Sequence, residues 1–184
     1  MKQEVQKASS SPSNGRWYGI FLLSAALAIV ADCFSKMWVE ASLFLGESNH
    51  IWGPLSFTHI INPAGAWGMA APRAVWIGVS FAGIAVVIAL LLYFRHSTSR
   101  RLLAAISLGI LFGGTFGNLL DRLFSDGVTD FVDIHMWGSV DWPTFNLADV
   151  AIVIGAGLLS FVFLCQGDQS KTCEMECNPS EHST

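Results

Sequence analysis

Four stretches almost without charge, at residues 17–31, 74–94, 102–120 and 150–164, constrain this chain more than any other feature. With its flanks, each approaches the roughly 20 residues needed to cross a hydrocarbon core of about 30 Å. Lipid offers the backbone no hydrogen-bond partner, so a crossing segment must satisfy its own N–H and C=O groups, which single runs of this length do as helices. Four transmembrane helices are expected. The first is the shortest and follows Lys2, Lys7 and Arg16, as a cleaved signal peptide would. In "ALAIVADC", however, Asp32 stands where a cleavage site needs a small residue, and a retained helix is the expectation. Composition points the same way: 184 residues suit one domain, and only 13% are charged, against about 25% in soluble domains.

The basic residues orient the helices. Lys2, Lys7 and Arg16 precede the first; Arg95, Arg100 and Arg101 lie between the second and third; Lys171 follows the fourth. If the four cross in sequence, these share one side, which the positive-inside rule makes the cytoplasm, with both termini in it. Lys36, Arg73 and Arg122 fall on the other side. Trp38, Trp52, Trp67, Trp76, Trp137 and Trp142 then sit at or near the outer interface, as an aromatic belt. The organisation expected is a polar cytoplasmic tail (1–16), a four-helix membrane domain (17–167) and a second polar tail (168–184), both tails lacking fixed structure. In the first outer loop, 37–72, "LSFTHIIN" is β-branched and aromatic between Pro54 and Pro63 and reads as a strand, part of a short sheet on the membrane surface. Residues 124–146 read as a second outer loop with Gly127, Gly138 and Pro143 as breakers. Ala105, Gly109, Gly113 and Gly117 form a small-residue stripe, matched by Ala148, Ala151 and Gly155; both are read as helix-packing surfaces.

Charge and cysteine usage exclude several functions. Between Asp121 and Asp149 stand six aspartates against one arginine and one histidine, and no basic cluster exists to neutralise phosphates, so no nucleic-acid partner is expected. Cys33, Cys165, Cys173 and Cys177 give no disulfide framework. A zinc site at Cys173 and Cys177 needs two more ligands and only His182 is near, so no metal is expected. There is no GxSxG elbow, no HExxH motif and no phosphate loop, and no cofactor is called for. His59 and His135 lack a partner pattern and read as interfacial.

Ionisable groups at membrane depth are costly and mark function. "DCFSK" ends the first apolar run, with Asp32 and Lys36 on one helix face in the favourable acid-before-base order. This reads first as an ion pair fixing the helix end, and second as a ligand contact. "GNLLDRL" places Asn118, Asp121 and Arg122 within a turn. Asp121 is at a helix C-terminus, where the dipole disfavours an acid, so Arg122 or a loop amide must hold it. In "FNLAD", Asn146 and Asp149 have capping-box spacing, which by itself accounts for Asp149. Asp130, in "VTDFVD", sits among apolar residues with no such account; Asp126, Asp133 and Asp141 read as solvated loop acids. The chain between Asp130 and Asp149 leaves one helix and returns to the next, so the two carboxyls can converge cheaply. Carboxyls that close share a proton; the charged one then takes a proton from water while the other hydrogen-bonds a carbonyl, which is peptide hydrolysis by general acid–base catalysis.

"DCFSK", "INPAGAWG", "GGTFGNLLDRL", "GVTDFVD" and "FNLADV", in this order, resemble the motifs of lipoprotein signal peptidase (signal peptidase II) over about residues 17–167. The resemblance implies a four-helix bundle with a small β-sheet and a short helix on the outer, periplasmic face. It implies an aspartic endopeptidase of the bacterial inner membrane, inhibited by globomycin, with its active site at the outer face. The substrates would be diacylglyceryl-modified prolipoproteins, cut just before the lipidated cysteine. On the matching motifs, Asp130 and Asp149 would be catalytic. Asn62, Asn118 and Arg122 would contact substrate or inhibitor, and Asp32, Lys36, Asp121 and Asn146 would support the site. Here Gly65 and Ala64 are exchanged relative to the usual N-x-G-A-A-F, and Pro63 stiffens the turn. Membrane phospholipid and the lipidated precursor are the partners expected, with the chain a monomer. Two rivals stand beside this reading: a small proton- or cation-coupled transporter, and a factor that only binds lipidated peptides. A transporter favours internal repeats and mid-helix charges, whereas these acids gather at one membrane face.

Overall fold

The computed structural model describes residues 14–63, 65, 69, 71–95, 101–135 and 141–177. Four helices, α1 (Asn14–Ser42), α2 (Arg73–Phe94), α3 (Arg101–Phe124) and α4 (Leu147–Cys177), alternate with two strand pairs, β1 (Ser48–Trp52) with β2 (Leu55–Asn62), and β3 (Val128–His135) with β4 (Asp141–Phe145). All four helices are long and apolar enough to cross a membrane, the fourth over Leu147–Cys165. The strands form one antiparallel sheet in the order β1-β2-β3-β4. Both strand pairs connect helices at the same end of the bundle, so the sheet lies over the C-terminal ends of α1 and α3 and the N-terminal ends of α2 and α4. Among the described residues no short helix joins it.

The packing is inside out by soluble standards. Leu22, Leu27, Val30, Phe34, Val79, Phe81, Val86 and Val153 are exposed on α1, α2 and α4, a surface that only lipid solvates well. With apolar groups equally content in lipid, helices associate through close backbone approach. α3 provides it and contacts each of the other three helices. A Cβ on Gly113 would lie 2.6 Å from the Ala28 Cβ of α1, and one on Gly155 2.8 Å from the Leu111 backbone N of α3. Both small-residue stripes are therefore helix contacts. At the end away from the sheet, Trp17, Phe21, Leu91, Phe94, Leu108 and Val162 close an apolar core, and the rings of Phe94 (α2) and Phe163 (α4) meet edge to face at 5.0 Å.

The strand expected at Leu55–Asn62 is β2, over those residues. Three boundaries differ from the sequence reading. First, α1 does not end at "DCFSK" but runs on to Ser42, because Asp32 and Lys36 find polar partners on α3 and α4 and so need not reach water. Second, residues 124–146 are not simply a loop: β3 pairs with β2, Asn62 opposite Val128 and Ile60 opposite Asp130. Gly127 permits this, since a Cβ there would lie 2.5 Å from the Asn62 carbonyl oxygen, and Pro143 is tolerated because β4 is an edge strand. Third, the chain beyond residue 167 stays helical to Cys177. Gly138, Trp67 and Trp137 lie outside the described residues. Trp38, Trp52, Trp76 and Trp142 stand at the sheet end.

Candidate active site

Asn146 organises the polar cluster beneath the sheet. It directly precedes α4, and its side-chain Oδ1 accepts from the Asp149 backbone N–H at 3.0 Å. In return the Asn146 N–H donates to Asp149 Oδ2 at 3.2 Å. This is the reciprocal capping box the spacing predicted. The other end of the Asn146 amide is spent elsewhere: Nδ2 donates to Asp130 Oδ1 at 2.7 Å and to Asn118 Oδ1 at 3.2 Å. Asn146 is wholly buried. A residue whose backbone bonds one carboxyl and whose side chain bonds the other fixes the two relative to each other, and the capping role of Asp149 leaves its other oxygen for Asn118.

Asp130 is carried by β3 and buried. Its second oxygen accepts from Asn62 Nδ2, on the neighbouring strand, at 2.9 Å. Asn118 Nδ2 donates to Asp149 Oδ1 at 2.8 Å. Thus three asparagines, from β2, α3 and the turn before α4, direct N–H groups at two carboxyls. Arg122 Nη1 donates to the Asn118 carbonyl at 3.0 Å, and its guanidinium lies within electrostatic reach of Asp149, Asp130 and Asp121.

Behind these residues the ion pair expected of Asp32 and Lys36 is joined by Asp121. Lys36 Nζ meets Asp32 Oδ2 at 2.6 Å, Asp121 Oδ2 at 2.7 Å and Asn118 Oδ1 at 3.2 Å. An ammonium has three N–H donors, so all are used. Asp32 Oδ1 accepts from the Ala148 N–H at 2.9 Å, capping α4 from α1. The expected holders of Asp121 were Arg122 or a loop amide. The Thr129 N–H is such an amide, at 3.4 Å; Lys36 is the closer partner, at 2.7 Å, and Arg122 acts on Asp121 through its charge without a salt bridge. The reason is direction: consecutive helix residues point about 100° apart, so Arg122 cannot follow Asp121 toward α1. Asp133 is likewise not a solvated loop acid. Thr58 Oγ1 donates to it at 3.0 Å and His135 Nε2 is 3.1 Å away, because strand pairing brings it under β2.

Asn62, Asn118, Arg122, Asp130 and Asp149 all line one cavity of about 660 Å³. Asp32, Lys36, Asp121 and Asn146 do not line it; they stand behind. α2 and α4 meet at the far end but hold the cavity between them at the sheet end, with α3 as its floor and Trp142–Phe145 of β4 at its top. Val79, Val153 and Ile154 line it and are themselves exposed, so it opens sideways, toward lipid. Its walls are mainly apolar, and the polar groups gather beside the sheet.

Burial pushes the Asp130 carboxyl up to about 6, from an ordinary 3.8, and the nearby Asp149 charge adds to this, while hydrogen bonds from Asn62 and Asn146 act in opposition. Asp130 therefore keeps its proton to a higher pH than an ordinary aspartate does. Among the described residues no three His, Cys, Asp or Glu side chains are grouped to hold a metal ion. The sequence reading passed over Glu40 and Thr129. Glu40 Oε1 accepts from Thr129 Oγ1 at 2.8 Å, and the 4-residue spacing from Asp32 through Lys36 to Glu40 was the available signal.

Residues 24–165 match the family described as signal peptidase (SPase) II. A lipoprotein signal peptidase of Syntrophomonas wolfei is 38% identical over 157 residues, covering 85% of this chain and 97% of that one. The corresponding protein of Yersinia enterocolitica is 36% identical over 149 residues, covering 79% and 85%. Among solved structures, a bacterial membrane enzyme determined by the in meso method at 2.3 Å aligns over 90% of this chain and 94% of its own with a TM-score of 0.68 at 24% identity, a likeness of fold. A second, at 1.9 Å, aligns over 79% and 93% with a TM-score of 0.65 at 28% identity. With its bundle, its sheet and a family match that spans the whole polar cluster, the chain belongs to the signal peptidase II family of bacterial membrane peptidases.

Proposed function

We propose that the chain is an aspartic endopeptidase that removes the signal peptide from diacylglyceryl-modified prolipoproteins, with Asp130 and Asp149 as its catalytic pair. The observation that carries this reading is the joint attachment of both carboxyls to Asn146, with both facing a cavity that opens toward lipid. Asp149 serves as the general base. It takes a proton from a water molecule as the water oxygen attacks the scissile carbonyl carbon. Asp130 holds the shared proton and donates a hydrogen bond to the carbonyl oxygen, stabilising the charge that develops there. As the tetrahedral intermediate collapses, the proton on Asp149 passes to the departing amide nitrogen. The signal peptide leaves as a carboxylic acid and the lipidated cysteine as a free amine.

The sideways opening supports the lipid requirement. Two acyl chains anchored in the bilayer reduce the search for the site to two dimensions and fix the cysteine's depth, which is catalysis by orientation. Asn62, Asn118 and Arg122, on the cavity wall, bind the peptide backbone near the cut. The proposed setting is the bacterial inner membrane, and the positive-inside count supports the sheet end on its outer face with both termini in the cytoplasm. The transport reading has no comparable support, since the paired acids gather at one end of the bundle. The test is cleavage of one purified diacylglyceryl-modified precursor in detergent, with Asp130→Asn and Asp149→Asn beside the unaltered protein. Both variants are expected to be folded and inactive, and the unaltered protein to be blocked by globomycin. Turnover by either variant at the unaltered rate would end the proposal.

A further inference from the structure

The two carboxyls sit on different elements, bridged by Asn146, and each element also needs a mount of its own. Asp149 is in the first turn of α4, whereas Asp130 is on β3, whose register with β2 shifts between Phe57 and Ile60, directly beside the residue paired with Asp130. Such irregularities re-aim a strand locally, so the ladder alone is a loose mount. One helix face reaches both elements. Asp32, Lys36 and Glu40 recur every four residues on α1, along one side. Asp32 holds the Ala148 N–H, one residue from Asp149. Lys36 holds the oxygen of Asn118, leaving the amide N–H of that residue for Asp149. Glu40 accepts the hydroxyl of Thr129, one residue from Asp130, and Thr129 is almost wholly buried.

We propose that this face of α1 sets the separation of the two carboxyls, and that Glu40, acting through Thr129, is the positioning residue for Asp130. The inference rests on the catalytic pairing proposed above. Glu40 touches neither the cavity nor either carboxyl, so its loss acts only through where β3 sits. Displacement of a reacting group by a fraction of an ångström lowers turnover without weakening the hold on substrate.

The experiment compares Glu40→Ala, Glu40→Gln, Thr129→Val and the Glu40→Ala/Thr129→Val double variant in the precursor-cleavage assay, with active sites counted by globomycin titration. Valine matches threonine in shape and suits a strand, so Thr129→Val is expected to fold. Both Glu40→Ala and Thr129→Val should lower kcat about three- to tenfold with KM unchanged. The double variant should fall no further than either single one, because one bond is lost once. Glu40→Gln keeps an accepting oxygen and should restore kcat. The pH profile should also move. Asp149 of α4, Lys36 of α1 and Arg122 of α3 face Asp130, and a wider gap to Asp149 brings the basic limb to lower pH, which simple loss of folded protein does not do. Unchanged kcat per active site in Glu40→Ala and Thr129→Val, or additive losses in the double variant, would overturn the proposal. Asp130→Asn in the same assay separates the layers: activity there sinks the pairing and this inference with it, whereas an inactive Asp130→Asn beside normal Glu40 variants sinks this inference alone.

Discussion

Replacing Asp130 by asparagine tests the electrostatics of the site without reference to substrate. The buried carboxyl ionises at about 6 in the folded chain against 3.8 when free. Between those values the folded state binds more protons at this position than the unfolded state, so the stability it contributes is fully present below 3.8 and is lost as pH rises through 6. A tenfold difference in acidity between the two states corresponds to about 1.4 kcal/mol. Between pH 4 and pH 8 this one group therefore takes roughly 2–3 kcal/mol from the stability of the unaltered protein. Asparagine cannot ionise. Its amide conflicts with one of the two N–H donors now facing Asp130, Asn62 or Asn146, but that cost does not depend on pH and drops out of the slope. The assay is thermal unfolding in detergent at a series of pH values for both proteins. The difference in stability, variant minus unaltered, should grow in favour of the variant by roughly 2–3 kcal/mol from pH 4 to pH 8, or about 5–10 °C in Tm for a chain of this size. A difference that stays flat across this range would mean that Asp130 ionises as an ordinary carboxyl, and its proposed role as the proton-holding member would lose its physical basis.

Asn146→Ala removes the side-chain N-cap and the amide bonds to Asp130 and Asn118 while keeping the backbone N–H that faces Asp149; Tm should fall by the equivalent of about 0.5–2 kcal/mol, and precursor cleavage should fall much further, by at least tenfold. Asp32→Ala leaves the Ala148 N–H unpaired and Lys36 with one carboxylate fewer, so a stability loss of about 3 kcal/mol is expected, read as reduced Tm with KM little changed. Arg122→Ala should weaken globomycin binding in a direct binding assay, because the guanidinium lines the cavity; unchanged affinity would remove it from the site. Gly113→Leu should lower Tm and the yield of folded protein, since a Cβ there already falls 2.6 Å from Ala28 and the helices would have to part.

Much of the site was legible in the chain, and the reason is local. Asn146 and Asp149 cap one helix three residues apart, Asp32 and Lys36 pair across one turn, and the small-residue stripes follow helical spacing; each is geometry within a few residues. The four spans follow from lipid's refusal to solvate an open backbone, which makes hydropathy nearly a structural statement. Strand β2 was readable because it is bounded by prolines and rich in β-branched residues. β3 was not, since its aspartates and flanking glycine make it look like a loop until β2 lies beside it.

The sequence thus determined how many spans the chain has, which end collects the acids and which residues the proposed chemistry uses. Only the tertiary structure decided who partners whom. Lys36 reaches Asn118 across 82 positions and Glu40 reaches Thr129 across 89, and no periodicity encodes contacts between elements so far apart. Such pairs arise because a buried polar group, the Lys36 ammonium or the Thr129 hydroxyl, must find a partner wherever the packed elements bring one, and that packing is a property of the whole bundle.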